Sequence, residues 1–130
     1  MADIALTTAQ IAVVDQANAD IFTIQPSLTI TPGQVISFNA SGLGILADAN
    51  GAGVIAQARG ICLERAGVNQ GCGILRRGTI SGFTLTGLAY GAKVYLSDTA
   101  GALADAAGTL SVPIGQVVPT SDITPEKVLY

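Results

Sequence analysis

The sequence predicts an all-β fold, a single-domain β-barrel or β-sandwich of short antiparallel strands, and three observations carry that expectation. Sixteen Gly and five Pro cut the 130 residues into short β-favouring stretches. Long charged runs of helix formers are missing. The third observation is an internal repeat. Leu46-Ala47-Asp48-Ala49-Asn50-Gly51 and Leu103-Ala104-Asp105-Ala106-Ala107-Gly108 agree at five of six positions at an offset of 57. Their flanks follow: Pro32-Gly33-Gln34-Val35 precedes the first copy as Tyr90-Gly91-Ala92-Lys93-Val94 precedes the second. Two copies cannot build a stacked solenoid, so the repeat implies one compact domain with internal pseudo-symmetry, in units of about 32–83 and 90–118.

Residues 1–26 form either an extended amino-terminal arm or edge strands, and residues 27–130 form the β domain. The first segment has no Gly, and its apolar residues, including Ile4, Leu6, Ile11, Val13, Val14 and Phe22, are dispersed among Asp, Thr, Asn and Gln. A helix over 8–19 capped by Thr8 competes with this reading, but β-branched content weakens it. Gln25-Pro26 ends the segment, since the residue before Pro is pushed out of helical geometry. Strands are then expected around Leu28 and Ile30, after the Gly33 turn from Val35 to Phe38, and over Val54 to Arg65 with a bend at Gly60. Asn50-Gly51 has hairpin-turn chemistry. The loop 66–71 reverses the chain into Cys72 to Arg77. Thr79 to Thr86, Lys93 to Ser97 and Thr109 to Val118 continue the pattern, and Val128-Leu129-Tyr130 closes it as a final strand.

Fifteen charged residues of 130, 12%, is about half the share of an ordinary soluble domain, about 25%. A surface this poor in charge suits faces covered by partners, which points to an oligomer or assembly component. The net charge of −3 and the absence of a Lys/Arg stripe argue against a nucleic-acid or anionic-membrane binder. No apolar run approaches the roughly 18 residues of a spanning helix. MADIALTTAQ has neither the basic region nor the apolar core of a signal peptide, so the chain is expected to be made in the cytoplasm without export by that route. Asn39-Ala40-Ser41 matches a glycosylation sequon, but in such a chain it is read as a strand-end turn.

With no His, Ser-His-Asp and Cys-His catalysis and most zinc sites are excluded. The repeat-matched Asp48 and Asp105 could be drawn as a glycosidase pair or as calcium ligands; in Ala-Asp-Ala contexts before Gly, bonding to their own turn is the stronger reading. Gly42-x-Gly44-x-x-Ala47 and Gly51-x-Gly53-x-x-Ala56 match a loose dinucleotide fingerprint, yet neither opens a helix after a strand. Cys62 and Cys72 flank the 65–71 reversal and could face each other at bridging distance, reduced and buried in a cytoplasmic chain. Lys93 and Tyr95, two apart on one strand, line one solvated face. Neither a cofactor nor a metal is expected, and the chain is not read as an enzyme.

Taken together, Pro32-Gly33-Gln34-Val35, Gly60-Ile61-Cys62-Leu63, Gly78-Thr79-Ile80-Ser81-Gly82, Gly91-x-x-Val94-Tyr95-Leu96-Ser97, Gly101-x-Leu103 and Ile114-Gly115-Gln116-Val117 resemble the small capsid decoration, or cement, proteins of tailed bacteriophages. The resemblance covers about residues 32–118. It implies a trimeric β subunit on the outside of the virion capsid, bound to the major capsid protein and tying capsomers together, without catalytic residues. A head-fibre or tail-fibre module for host recognition is the alternative that the same resemblance allows. In the first reading Ile4, Leu6, Ile11, Val13 and Val14 are candidate contacts to the shell or to a sister subunit, through strand addition to a sheet edge. Deleting residues 2–14 is then expected to abolish shell binding and leave the β domain folded.

Overall fold

A computed structural model describes residues 3–6, 11–13, 19–50, 57–68, 70–85, 88–119 and 127–129, the last three by their backbone. They form eleven strands and, among the described residues, no helix. The first half of the chain supplies β1 (Ala12–Val13), β2 (Asp20–Ile24), β3 (Val35–Phe38), β4 (Gly44–Leu46) and β5 (Gly60–Cys62). The second supplies β6 (Cys72–Arg77), β7 (Ile80–Ser81), β8 (Lys93–Leu96), β9 (Leu103–Ala104), β10 (Pro113–Pro119) and β11 (Lys127–Leu129). All pair antiparallel within two sheets, of order β1-β7-β11-β10-β8-β9 and β2-β6-β5-β3-β4. Both orders are open, and no barrel closes among the described residues.

The sequence repeat becomes a repeat of pairing. One sheet ends in β5-β3-β4 and the other in β10-β8-β9. Each central strand is entered through a glycine with positive φ, Gly33 at 90° and Gly91 at 85°, a backbone shape that a side chain resists. The Gly33 N–H donates to the Cys62 carbonyl at 2.8 Å, and the Gly91 N–H donates to the Val117 carbonyl at 2.7 Å. The return bonds match as well, Cys62 N–H to Gln34 at 2.8 Å and Val117 N–H to Ala92 at 2.9 Å.

The two units also lock across each other. The Val35 N–H donates to Gly101 at 2.9 Å, the Gly101 N–H to Ala47 at 2.7 Å, and the Ala49 N–H to Ser97 at 3.0 Å. Gly101 has a φ of 78°, and a Cβ there would lie 3.1 Å from Leu46 Cδ2. The first copy of the repeat is thereby seated on the hairpin loop of the second.

Strand alternation divides the apolar residues between two cores. Val35, Ile61 and Leu75 from one sheet meet Ile80, Val94, Leu96 and Val117 from the other in the main core. Ile24, Ile36, Cys62, Cys72 and Ile74 face the opposite side of the five-stranded sheet, where Ile30 and Ala66 join them. A strand around Leu28 and Ile30 does not form. Ser27 to Thr29 lie outside any strand, and Ile30 makes only an isolated bridge to Ala66. Fully buried Pro26, with no N–H to give, opens this connection, and Ile30 is better placed as a plug on the second core. Of the expected run over 54–65, the described strand is Gly60–Cys62; 54–56 lies outside the described residues. Most of the competing helix over 8–19 lies outside them too, though Ala12–Val13 within it is strand.

Replacing Gly101 by Ala is expected to cost about 2 kcal/mol or more, because unfavourable φ adds to contact with Leu46. Gly42 supplies the control, since it has a φ of 80° and an added methyl would meet nothing within 4 Å; Gly42→Ala should cost about 1 kcal/mol, from the backbone alone. Equal losses in urea unfolding of the two variants would remove the lock at Gly101.

Candidate functional site

The first described residues are tied to the rest of the chain by isolated bridges and one short strand. Asp3 bridges to Ala104 and Leu6 to Phe83, the Ile4 N–H donates to Leu103 at 2.8 Å, and β1 pairs with β7. β1 and β2 each form the outer edge of a sheet. Ile4, Leu6, Ile11 and Val13, half-buried, pack against the main core of their own chain. Val14 lies outside the described residues. Deletion of 2–14 would take these side chains from the core as well as from any partner, so its effect on stability has to be measured beside its effect on binding.

The repeat-matched aspartates act in turns or stand exposed. Asp48 Oδ1 accepts the Asn50 N–H at 2.8 Å, and Asp105 is exposed on the loop after β9. The more consequential carboxylate is Asp98, which the repeat did not single out. It accepts the Thr109 N–H at 2.8 Å and the Thr109 hydroxyl at 2.9 Å, closing the loop around the second copy. Asn39 Oδ1 likewise accepts the N–H groups of Ser41 and Leu43 at 2.9 and 3.0 Å, so the sequon is the β3–β4 turn. Gly44–Leu46 is a strand, which removes the first dinucleotide fingerprint; 51–56 lies outside the described residues. Lys93 is exposed and Tyr95 half-buried, alternating with buried Val94 and Leu96. No cluster of three or more metal-ligating side chains occurs among the described residues.

What the sequence did not reveal is a cleft of about 630 Å³ between β5–β6 of one sheet and β8–β10 of the other. Buried Val35, Ile61, Leu75 and Ile80 contribute to its floor, and Val112 and Ile114 to its wall. Its rim gathers Arg59, Arg76, Arg77 and Lys93, four of the six cationic residues of the chain, with none of the nine carboxylates among its lining residues. Arg76 is already engaged on the other face, 5.4 Å above the Phe22 ring and 3.8 Å from Asp20. Arg59 donates to Gln57 at 2.8 Å. Positive charge over an apolar floor can hold an anionic group whose remainder is apolar. These cations are scattered along the sequence, and only the facing of two sheets collects them.

Cys62 and Cys72 are both fully buried, with sulfur atoms 3.4 Å apart. Burial, reinforced by the neighbouring Cys72 thiol, pushes the Cys62 thiol up to about 12, and burial also raises Cys72. Comparison of the chain with family models, curated proteins and solved structures finds no match.

Two outcomes follow. With a fatty-acid carboxylate as a probe of the cleft, backbone amide shifts at Gly60, Gly78 and Gly115 should move on titration, and should move less in Arg59→Ser with Arg77→Ser and in added salt; shifts that do not move would remove the cleft as an anion site. The raised Cys62 thiol makes stability fall with pH: above about 9 the unfolded chain loses a proton that the folded chain keeps until about 12. Stability measured between pH 8 and 11 should therefore decline more steeply in the parent than in Cys62→Ala; parallel curves would refute the assignment.

Proposed function

We propose that this chain is a structural virion protein, a decoration subunit that docks as a trimer on the outer surface of a tailed-phage capsid and stabilises the shell. The observation that carries this reading is where large apolar side chains stand in solvent. Ile21 is 45% exposed, Val68 56%, Tyr90 51% and Leu110 42%, each on a different strand or loop of a chain with 12% charged residues. A surface this poor in charge, with such groups on it, suits broad, shallow contact with a protein lattice, where three copies multiply weak contacts into avidity. The resemblance of 32–118 to cement proteins points the same way. The two sheets, which share a core, are read as the layers of a sandwich rigid enough to present that surface.

Docking through the first residues is refined by their packing. Ile4, Leu6, Ile11 and Val13 support the core, so the adjoining edge strand β2 is the better element to meet the shell. It carries Ile21 outward and has a neighbour, β6, on one side only.

An antibody to this chain, gold-labelled on lysate particles, should decorate full, expanded heads evenly, and Ile21→Lys should reduce the occupancy several-fold. Label confined to tails or isolated projections would make the chain a fibre module. Particles without label would overturn the virion reading.

A further inference from the structure

The sequence leaves Cys62 and Cys72 as two reduced thiols; their geometry supports more. Cys62 is the last residue of β5 and Cys72 the first of β6, and the register sets Cys62 opposite Ile74, so the cysteines are diagonal neighbours. Diagonal backbones in an antiparallel pair lie about 7–8 Å apart, just beyond the roughly 7 Å that a disulfide spans without backbone movement. Here the side chains have already closed most of that gap, with the sulfurs in contact at 3.4 Å. Both thiols share one acceptor, the Glu64 carbonyl, at 2.8 Å from Cys62 and 3.4 Å from Cys72. The remaining approach, from 3.4 Å to a bond of about 2.05 Å, falls where both strands end and a short loop can yield.

We infer that Cys62 and Cys72 are a disulfide-forming pair, a covalent lock across the β5–β6 hairpin that closes when the chain meets a disulfide oxidant. With glutathione disulfide as that oxidant the chemistry balances. One cysteine thiolate attacks a glutathione sulfur and expels a glutathione thiolate. The second cysteine, deprotonated in turn, attacks the protein sulfur of the mixed disulfide and expels the other. Two S–H bonds and one S–S bond give one new S–S bond and two glutathione thiols.

The lock bears on the second core. The ring it closes contains Ala66, which exchanges two backbone hydrogen bonds with Ile30, at 2.9 and 3.1 Å. Ile30 is the plug of that core. Tying 62 to 72 in the unfolded chain restricts the segment that holds this plug, and the gain should appear as a melting temperature raised by roughly 5–10 °C. Both sulfurs are buried, so oxidation of the native protein is slow and the lock closes most readily when the chain folds in the presence of the oxidant.

The test is refolding from denaturant in a glutathione disulfide buffer, followed by alkylation in denaturant and intact-mass measurement. The expected product is a monomer lighter by two hydrogens, unalkylated, with a Cys62–Cys72 crosslinked peptide and the raised melting temperature, reversed by reductant. Two alkylated thiols, stable glutathione adducts or crosslinked dimers would each overturn the proposal. Cys62→Ala should show no oxidant-dependent change in melting temperature; if that variant does not fold, the mass of the parent protein decides alone.

Discussion

Alternation along β3 sends Val35 to one face of its sheet and Ile36 to the other, and both are fully buried. The same holds for Ile61 against Cys62 and for Leu75 against Ile74. A sheet that is apolar on both faces must be covered twice, because each exposed face would leave aliphatic surface in water at about 25 cal/mol per Å². The six-stranded sheet covers one face. The connection from Gln25 to Gln34, plugged by Ile30 and pinned at Ala66, covers the other. This requirement explains why residues that look like a strand around Leu28 are withdrawn from pairing.

The first cover depends on how the repeats meet. Each unit repeats an entry glycine, a central strand and a returning strand, and the copies are joined through Gly101, Ala47 and Val35 rather than merely stacked. The chain start then fastens the arrangement: residues 3–6 bridge to Ala104 and Phe83, and the Ser97 hydroxyl donates to the Asp3 carboxylate. Segments far apart in sequence hold one another, and contacts of that kind slow folding because long loops must close before they form.

Charge follows a different logic from packing. A chain with few charges and a net of −3 brings Arg59, Arg77 and Lys93 to one cleft, while Arg76 beside them turns to Asp20 and Phe22 on the other face. A charge asymmetry of this kind can orient a protein as it approaches a charged surface.

The sequence by itself determined the all-β class, several of the turns and the existence of an internal repeat. These depend on local chemistry: glycines where φ is positive, Asn39 and Asp48 bonding their own backbones, and β-branched residues alternating between them. It also placed Cys62 and Cys72 on a hairpin, because ten residues with a reversal between them allow little else. Tertiary structure alone decided the rest. The role of Ile4, Leu6, Ile11 and Val13 as core cover, the loop-closing role of Asp98, the plug at Ile30 and the basic cleft all depend on contacts between residues distant along the chain. Hydrophobicity says that a side chain will be buried, and only the facing of the two sheets says against what.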